Sequence, residues 1–369
     1  MIYLDEAATT PVRRDVLAAM GPYLGPSFGN PSSHHEAGEA ARWGLEQARE
    51  SVAAALGGRP GEVTFTSGGT EADNLAVKGI ALADPRGRHV VVSAVEHPAV
   101  LESARWLERI GFEFTELEVD ADGRVAPGAL AAAIRPDTTL VSIQHASNEV
   151  GTIQPITELA AVAAEHGVPF HTDAVQSAPW LDLDVDRLGV TALSLSGHKL
   201  GAPKGVGALW LRRGTLLEPI VHGGGQESGR RSGTENVAGA VGLAAALQLV
   251  DRGSSSEVAR RRDAFVAAVL AGVPDARLTG HPVDRLPGHA SFVLPGRSGE
   301  SVLLDLERHG VVCSSGSACH AGSDEPSHVL TAMGVEREVA QTAVRFTFGR
   351  TTDEAKLGAA ARALVEVAG

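Results

Sequence analysis

Between Glu62 and Leu211 short apolar runs alternate with stretches of helical periodicity. Val63–Thr66, His89–Ser93, Thr139–Ile143, Pro169–Thr172, Ala192–Leu195 and Val206–Leu211 read as strands. Between several of them, as at Ala99–Ile110 and Ile156–His166, apolar residues recur at helical spacing. Strands alternating with helices predict an α/β architecture with a mostly parallel sheet covered on both faces. Ligands bind such sheets outside the carboxyl ends of the strands, so the residues that close each run are the first places to look for chemistry. After Thr234 the pattern changes. An apolar helix over Val237–Val250 precedes Ser254-Ser255-Ser256, expected to be a hinge, and a helix over Glu257–Leu270 opens a second unit of mixed strands and helices. A helix over Asp353–Val367 closes the chain, and there is no internal repeat or low-complexity tract.

The length of 369 residues suits about two domains at the usual ~150 residues each. A net charge of −13 without a long basic run argues against a nucleic-acid surface, and Arg260-Arg261-Arg262 reads as the solvated face of a helix. The first residues show no charged leader followed by an apolar stretch, and no apolar segment is long enough to span a bilayer. The expectation is no signal peptide and no membrane. The only cysteines are Cys313 and Cys319, which excludes a disulfide scaffold and points to a reducing cytoplasm.

Ser67-Gly68-Gly69-Thr70 follows the first run, where glycine amides, a helix N-terminus and the Thr70 hydroxyl could hold a phosphate. Glu96-His97-Pro98 follows the second, where His97 could stack on a ring, move protons or be a satisfied loop histidine. Asn148-Glu149 follows the third. Asp173, with Gln176 three residues on, follows the fourth, and its carboxylate could pair with a protonated pyridine nitrogen or cap the next helix. Ser196-Gly197-His198-Lys199 follows the fifth. Lysine is scarce here: besides Lys199 there are only Lys78, Lys204 and Lys356. Lys78 is expected to face solvent from a helix, Lys356 lies on the terminal helix, and Lys204 sits in a turn, which leaves Lys199 as the best imine-forming amine. A phosphate cradle, an acid and a lysine on successive strand ends together satisfy the pattern of a pyridoxal 5'-phosphate site.

Cys319 lies in Ser314-Ser315-Gly316-Ser317-Ala318-Cys319-His320-Ala321-Gly322-Ser323, a run of small residues without apolar periodicity. It is either a presented nucleophile or a bland free thiol. With Cys313, expected to be a buried strand residue, and a histidine it matches no common zinc spacing, so no metal is expected. Arg345, inside the alternating Val344-Arg345-Phe346-Thr347-Phe348, would clamp a substrate carboxylate or form a structural salt bridge.

Taken together these residues resemble the cysteine desulfurases of the nitrogen-fixation and iron–sulfur-cluster type, fold-type I pyridoxal-phosphate enzymes. The resemblance covers nearly the whole chain, from Tyr3-Leu4-Asp5 and Ala8-Thr9-Thr10 to Arg345-Phe346. Its most specific segments are Ser196-Gly197-His198-Lys199 and Ser314–Cys319. It implies a large cofactor-binding domain over 14–253 with a seven-stranded sheet. A smaller α+β domain would comprise 1–13 and 254–369 and carry the Cys319 loop over about 314–327. By the same resemblance Lys199 carries the Schiff base to the cofactor, and His97 stacks on the ring and assists proton transfer. Asp173 holds the pyridinium proton and Gln176 the ring hydroxyl. Gly69, Thr70, Ser196 and His198 lie at the phosphate, joined by Thr234 of the neighbouring subunit of a homodimer. Asn148 and Arg345 hold the carboxylate of L-cysteine. Cys319 attacks the substrate sulfur, keeps it as a persulfide and passes it to an acceptor protein, a scaffold or sulfur carrier, while alanine leaves.

One departure is Ser147, where many relatives have a second asparagine. Iron–sulfur-assembly relatives also often continue further beyond the last helix than Gly369. The recipients to expect therefore extend from iron–sulfur cluster assembly to tRNA thiolation, DNA sulfur modification and biosynthetic carriers. A selenocysteine lyase would use the same site on selenium and need Cys319 less strictly, and an aminotransferase would release a keto product and need no thiol loop. A non-catalytic sulfur-trafficking protein would not need the lysine, the acid and the thiol together.

Overall fold

The computed structural model describes residues 1–83, 86–315 and 325–369. Its largest sheet has seven strands, in the spatial order Val63–Thr66, Gly207–Leu211, Ala192–Ser196, Phe170–Asp173, Thr138–Ser142, His89–Ser93 and Glu113–Leu117. Only Gly207–Leu211 runs against the rest, pairing antiparallel with both its neighbours. Six of these strands lie within a residue or so of the apolar runs. The seventh, Glu113–Leu117, reads Glu-Phe-Thr-Glu-Leu and is half exposed at the sheet edge, so charged residues interrupt the signal that the buried strands carry.

Burial on both faces explains why the inner strands are continuously apolar. Val91, Val141, Phe170 and Leu193 point to a core shared with helices Glu36–Ala55 and Val237–Gln248. Their neighbours Val90, Val92, Leu140 and Ala192 point to the opposite core, under helices Gly69–Ala83 and Pro98–Glu108. Towards the carboxyl ends that second face turns polar. Ser142, His171, Asp173, Ser194 and Ser196 continue the same alternation, and all five are buried.

A second, antiparallel sheet joins Ala343–Thr347, His289–Val293 and Arg277–Leu278. Helices Ser255–Gly272 and Glu354–Ala368 belong to its core, where the Phe265 and Phe346 rings meet edge-on at 5.2 Å. Ser255 and Ser256 are the opening residues of the first of these helices, and a short turn at Arg252–Ser254 precedes it. The N-terminal segment is stitched to this unit. Ile2–Tyr3 pairs with Val311–Val312, Thr347 N donates to Leu4 O at 2.8 Å, and Ala7 N donates to Thr347 Oγ1 at 2.8 Å. It then crosses to the large sheet, where Thr10 N donates to His198 O at 2.9 Å. No helix among the described residues is long and apolar enough to cross a membrane.

Candidate active site

A cleft of 580 Å³ opens at the carboxyl ends of the large sheet. That is within the range of small-molecule sites. Its lining brings together Gly69, Thr70, His97, Asn148, Asp173, Gln176, Ser196, His198, Lys199 and Arg345, which are scattered over 277 positions of sequence from 69 to 345. Lys204 reaches the rim of the same cleft, exposed. Thr234 is exposed on the segment after Ser232 and does not line it. Cys319 lies outside the described residues.

Lys199 ends a single 3-10 turn, Gly197–Lys199, that continues directly from the strand Ala192–Ser196. Its Nζ donates to Ala8 O at 2.7 Å and to Ala7 O. The carbonyls of the N-terminal crossing thus hold the amine at the cleft. Gln176 Nε2 donates to Ala7 O at 3.0 Å, and His198 Nδ1 lies 3.2 Å from Thr9 Oγ1, so the same crossing orders both. Burial and the nearby lysines push the His198 imidazole down to about 4, leaving it neutral near pH 7.

Asp173 is the last residue of its strand. One carboxylate oxygen accepts from Val175 N at 2.8 Å. It therefore caps the following turn and also faces the cleft, so the two readings of this residue are compatible. Burial pushes its carboxyl up, while His97 and Lys199 favour the charged form. Burial pushes the His97 imidazole down. His97 Nδ1 accepts from Ala99 N at 3.1 Å, capping helix Pro98–Glu108, so in the neutral ring Nε2 carries the proton.

Helix Gly69–Ala83 begins at the cleft with its positive end. Glu71 locks that end. It accepts from Ser67 N at 2.8 Å and pairs with Arg231 at 2.7 Å. Glycine is required below it: a Cβ on Gly207 would lie 2.6 Å from the carbonyl carbon of Gly68 and 2.6 Å from Leu195 O. On Gly69 a Cβ would come within 2.8 Å of Val175 Cγ2. The segment carrying Arg231 and Thr234 is itself held from inside. Glu227, in the left-handed region at φ 51°, forms a bidentate pair with buried Arg49 at 2.7 and 2.8 Å.

Arg345 comes from the small sheet and is 1% exposed. Nη2 pairs with Asp5 at 2.8 Å, Nη1 donates to Asn148 O at 2.9 Å, and Nε is buried without a hydrogen-bond partner. The salt bridge exists, and the guanidinium still lines the cleft. Lys78, expected to face solvent, instead lies over the Trp106 ring at 4.9 Å and donates to Asn74 at 2.6 Å. Cys313 follows the strand rather than lying in it, and burial pushes its thiol up.

Sequence reasoning passed over several residues. Asp5 and the Ala7–Ala8 carbonyls have no side-chain signal for their role. Glu96 is a carboxyl buried behind the lining residues and Asp73 is a buried one in the lining itself; the one signal for Asp73 is an acid among Ala72, Leu75 and Ala76 on an apolar helix face. Among the described residues no cluster could hold a metal ion.

A primary amine, a carboxylate, a neutral imidazole, a helix N-terminus and a buried guanidinium converge here. The donor set fits pyridoxal phosphate: anion site, pyridinium partner and imine-forming lysine are all present in one cleft of adequate volume.

Comparison with known proteins gives a consistent picture. Residues 2–359 match the Aminotransferase class-V family. A protein of Dictyoglomus turgidum called cysteine desulfurase IscS is 48% identical over 96% of this chain and 91% of its own length. A solved structure titled NifS-like protein superposes with a TM-score of 0.93 at 34% identity, covering 99% of this chain and 98% of that one. Another, titled SspA in complex with cysteine, has a TM-score of 0.84 at 38% identity, covering 94% and 99%.

Proposed function

This chain belongs to the class-V aminotransferase family, and we propose the reading its cleft supports best: it is a pyridoxal-phosphate-dependent cysteine desulfurase, converting L-cysteine to L-alanine and handing on the sulfur. The observation that carries the reading is the convergence of Lys199, Asp173 and His97 at the N-terminus of helix Gly69–Ala83. The bound cofactor supplies an electron sink next to the substrate α-carbon.

The residues divide the work as follows. Lys199 would hold the cofactor through Nζ and, once free, takes the α-proton of the substrate. The backbone perch on Ala7 and Ala8 keeps that amine at the cleft in the meantime. Asp173 would hold the protonated ring nitrogen as a carboxylate, and Gln176 would hold the ring hydroxyl. Gly69, Thr70, Ser196 and His198 would hold the phosphate, which the helix N-terminus favours electrostatically. His97, neutral and protonated on Nε2, would pack on the ring and relay protons. Arg345 and Asn148 orient the substrate carboxylate, with Asp5 fixing the guanidinium from behind. The Cys319 thiolate attacks the substrate sulfur. The Cβ–S bond breaks, Cβ takes up a proton, Lys199 returns a proton to the α-carbon, alanine leaves, and Cys319 keeps the sulfur as a persulfide.

The remaining assignments belong to the same proposal. The unit over 14–253 carries the cofactor, and 1–13 with 254–369 forms the smaller domain. Thr234, exposed outside its own cleft, serves the site of a second subunit in a homodimer. The persulfide goes to a protein acceptor in the cytoplasm, with iron–sulfur assembly and tRNA thiolation as the routes to test.

The deciding experiment follows sulfide and alanine together when the holoenzyme and Cys319→Ala receive L-cysteine and a reductant. Equal release of both by the unaltered protein, with neither released by a variant that keeps its cofactor colour, is the expected result. A variant matching the unaltered protein would move the selenocysteine lyase or aminotransferase reading ahead.

A further inference from the structure

The floor of the cleft contains a second aspartate that the roles above leave unused. Asp73 lies one turn into helix Gly69–Ala83 and is 1% exposed, and its Oδ1 is buried without a hydrogen-bond partner. Three strand ends face it. From Ala192–Ser196, Ser194 lies within bonding reach of its carboxyl group. From Phe170–Asp173 come Asp173 and His171, whose Nε2 is 3.8 Å away. From the turn after His89–Ser93 comes Glu96, also buried.

These neighbours form a continuous hydrogen-bond chain. Ser142 Oγ lies 2.8 Å from His171 Nδ1, and His171 Nε2 lies 2.9 Å from Ser194 Oγ. Burial pushes His171 down to about 3, so the ring is neutral and has one donor and one acceptor. With Asp73 protonated its hydroxyl donates to Ser194, Ser194 to Nε2 and Nδ1–H to Ser142; with Asp73 charged the same links run in reverse, so the chain is complete either way, and what favours the proton is the buried Oδ1, which has no donor to meet a negative charge. Among the described residues no lysine or arginine opposes an Asp73 charge, whereas His97 and Lys199 both favour the charged form of Asp173. Two carboxyls close together in a dry site do not both ionise, and here the uncompensated one keeps the proton.

We propose that Asp73 is a positioning residue: a neutral carboxylic acid that ties the cradle helix to the strand ends through Ser194, His171 and Ser142, and leaves Asp173 as the single negative charge beneath the cofactor. The proposal rests on the reading of Asp173 as the partner of the ring nitrogen. Its substance is that the phosphate end and the ring end of the site are held in register by one buried hydrogen-bond chain. A charged Asp73 would set a second anion behind Asp173, and an apolar residue would cut the helix from the chain.

The test is infrared spectroscopy of the holoenzyme near neutral pH with isotopically labelled aspartate carboxyls, which removes Glu96 from the comparison. The expected result is the carbonyl band of a protonated aspartate, absent in Asp73→Asn. The amide of Asp73→Asn can still donate to Ser194, so its cofactor Kd should stay within about threefold of the unaltered protein, whereas Asp73→Leu should weaken binding about tenfold, the value of one buried hydrogen bond. The absence of a protonated aspartate band in the labelled, unaltered holoenzyme overturns the proposal, whatever the variants do. Equal affinities of the Asn and Leu variants overturn it too. Failure of the underlying reading looks different: Asp173→Asn would bind the cofactor with unchanged absorbance and affinity, while the Asp73 band stayed in place.

Discussion

At the scale of single residues, burial rather than charge pairing sets most protonation states around the cleft. Glu96 is the clearest case. Burial pushes its carboxyl up to about 8, although Ser93 Oγ at 2.5 Å and Gln144 N at 2.8 Å both donate to Oε1. The folded protein thus binds this proton more tightly than the unfolded chain. The stability it lends is complete below the ordinary carboxyl value of 4.5 and is lost as pH rises through about 8. Glu96→Gln keeps an acceptor for both donors and should flatten the decline of Tm over that window; parallel Tm curves for the two proteins would sink the assignment. Arg345 supplies a second prediction. Its guanidinium is 1% exposed, and Asp5 is its anionic partner at 2.8 Å. Removing one member of a buried pair leaves the other uncompensated, so Asp5→Ala should cost about 3 kcal/mol in denaturant unfolding and raise KM for L-cysteine. An unchanged midpoint would mean that the pair contributes nothing net.

At the scale of elements, the site depends on how closely the turn after Val63–Thr66 approaches its neighbours. Gly207 opens the one antiparallel strand directly below that turn, and a Cβ there meets backbone at 2.6 Å on two sides. Backbone cannot rotate away as a side chain can, so Gly207→Ala should displace the helix start, lower stability by about 2 kcal/mol and weaken cofactor binding together. Gly69→Ala meets a side-chain methyl of Val175 instead, and a smaller loss is expected. Ranking the two variants by cofactor Kd checks this, and the reverse order would contradict the geometry. The same elements show why the outline was legible from sequence. Runs buried on two faces are continuously apolar and announce themselves, and the residues that end them are the site. The edge strand Glu113–Leu117 was not legible, because half its side chains meet water and are free to be charged.

At the scale of the whole molecule, the cleft is assembled from parts that do not share a sheet. Arg345 comes from the antiparallel sheet, Asp173 and Lys199 from the seven-stranded one, and the crossing from Leu4 to Thr10 is bonded to both. A ligand spanning these parts stabilises all of them together. Removal of the cofactor should therefore lower Tm of the whole chain in a single transition, by a free energy of about 4 kcal/mol if the free cofactor stands at a thousand times its Kd. Calorimetry of the stripped and reconstituted protein decides the matter. A second, cofactor-insensitive transition would show that the two sheets unfold separately.

The sequence by itself determined the alternation of strand and helix, the parallel character of the sheet, and the positions of the lysine, the acid, the histidine and the glycine turn. Each of these follows from local periodicity or from the ends of apolar runs, and local signals survive in one dimension. Only the tertiary structure decided that Asp5 braces Arg345, that the carbonyls of Ala7 and Ala8 hold Lys199, and that Asp73 lies behind Asp173. Those contacts join residues from 100 to 340 positions apart. Backbone carbonyls have no residue type to read, and a buried acid looks like a surface acid until the chain has folded around it.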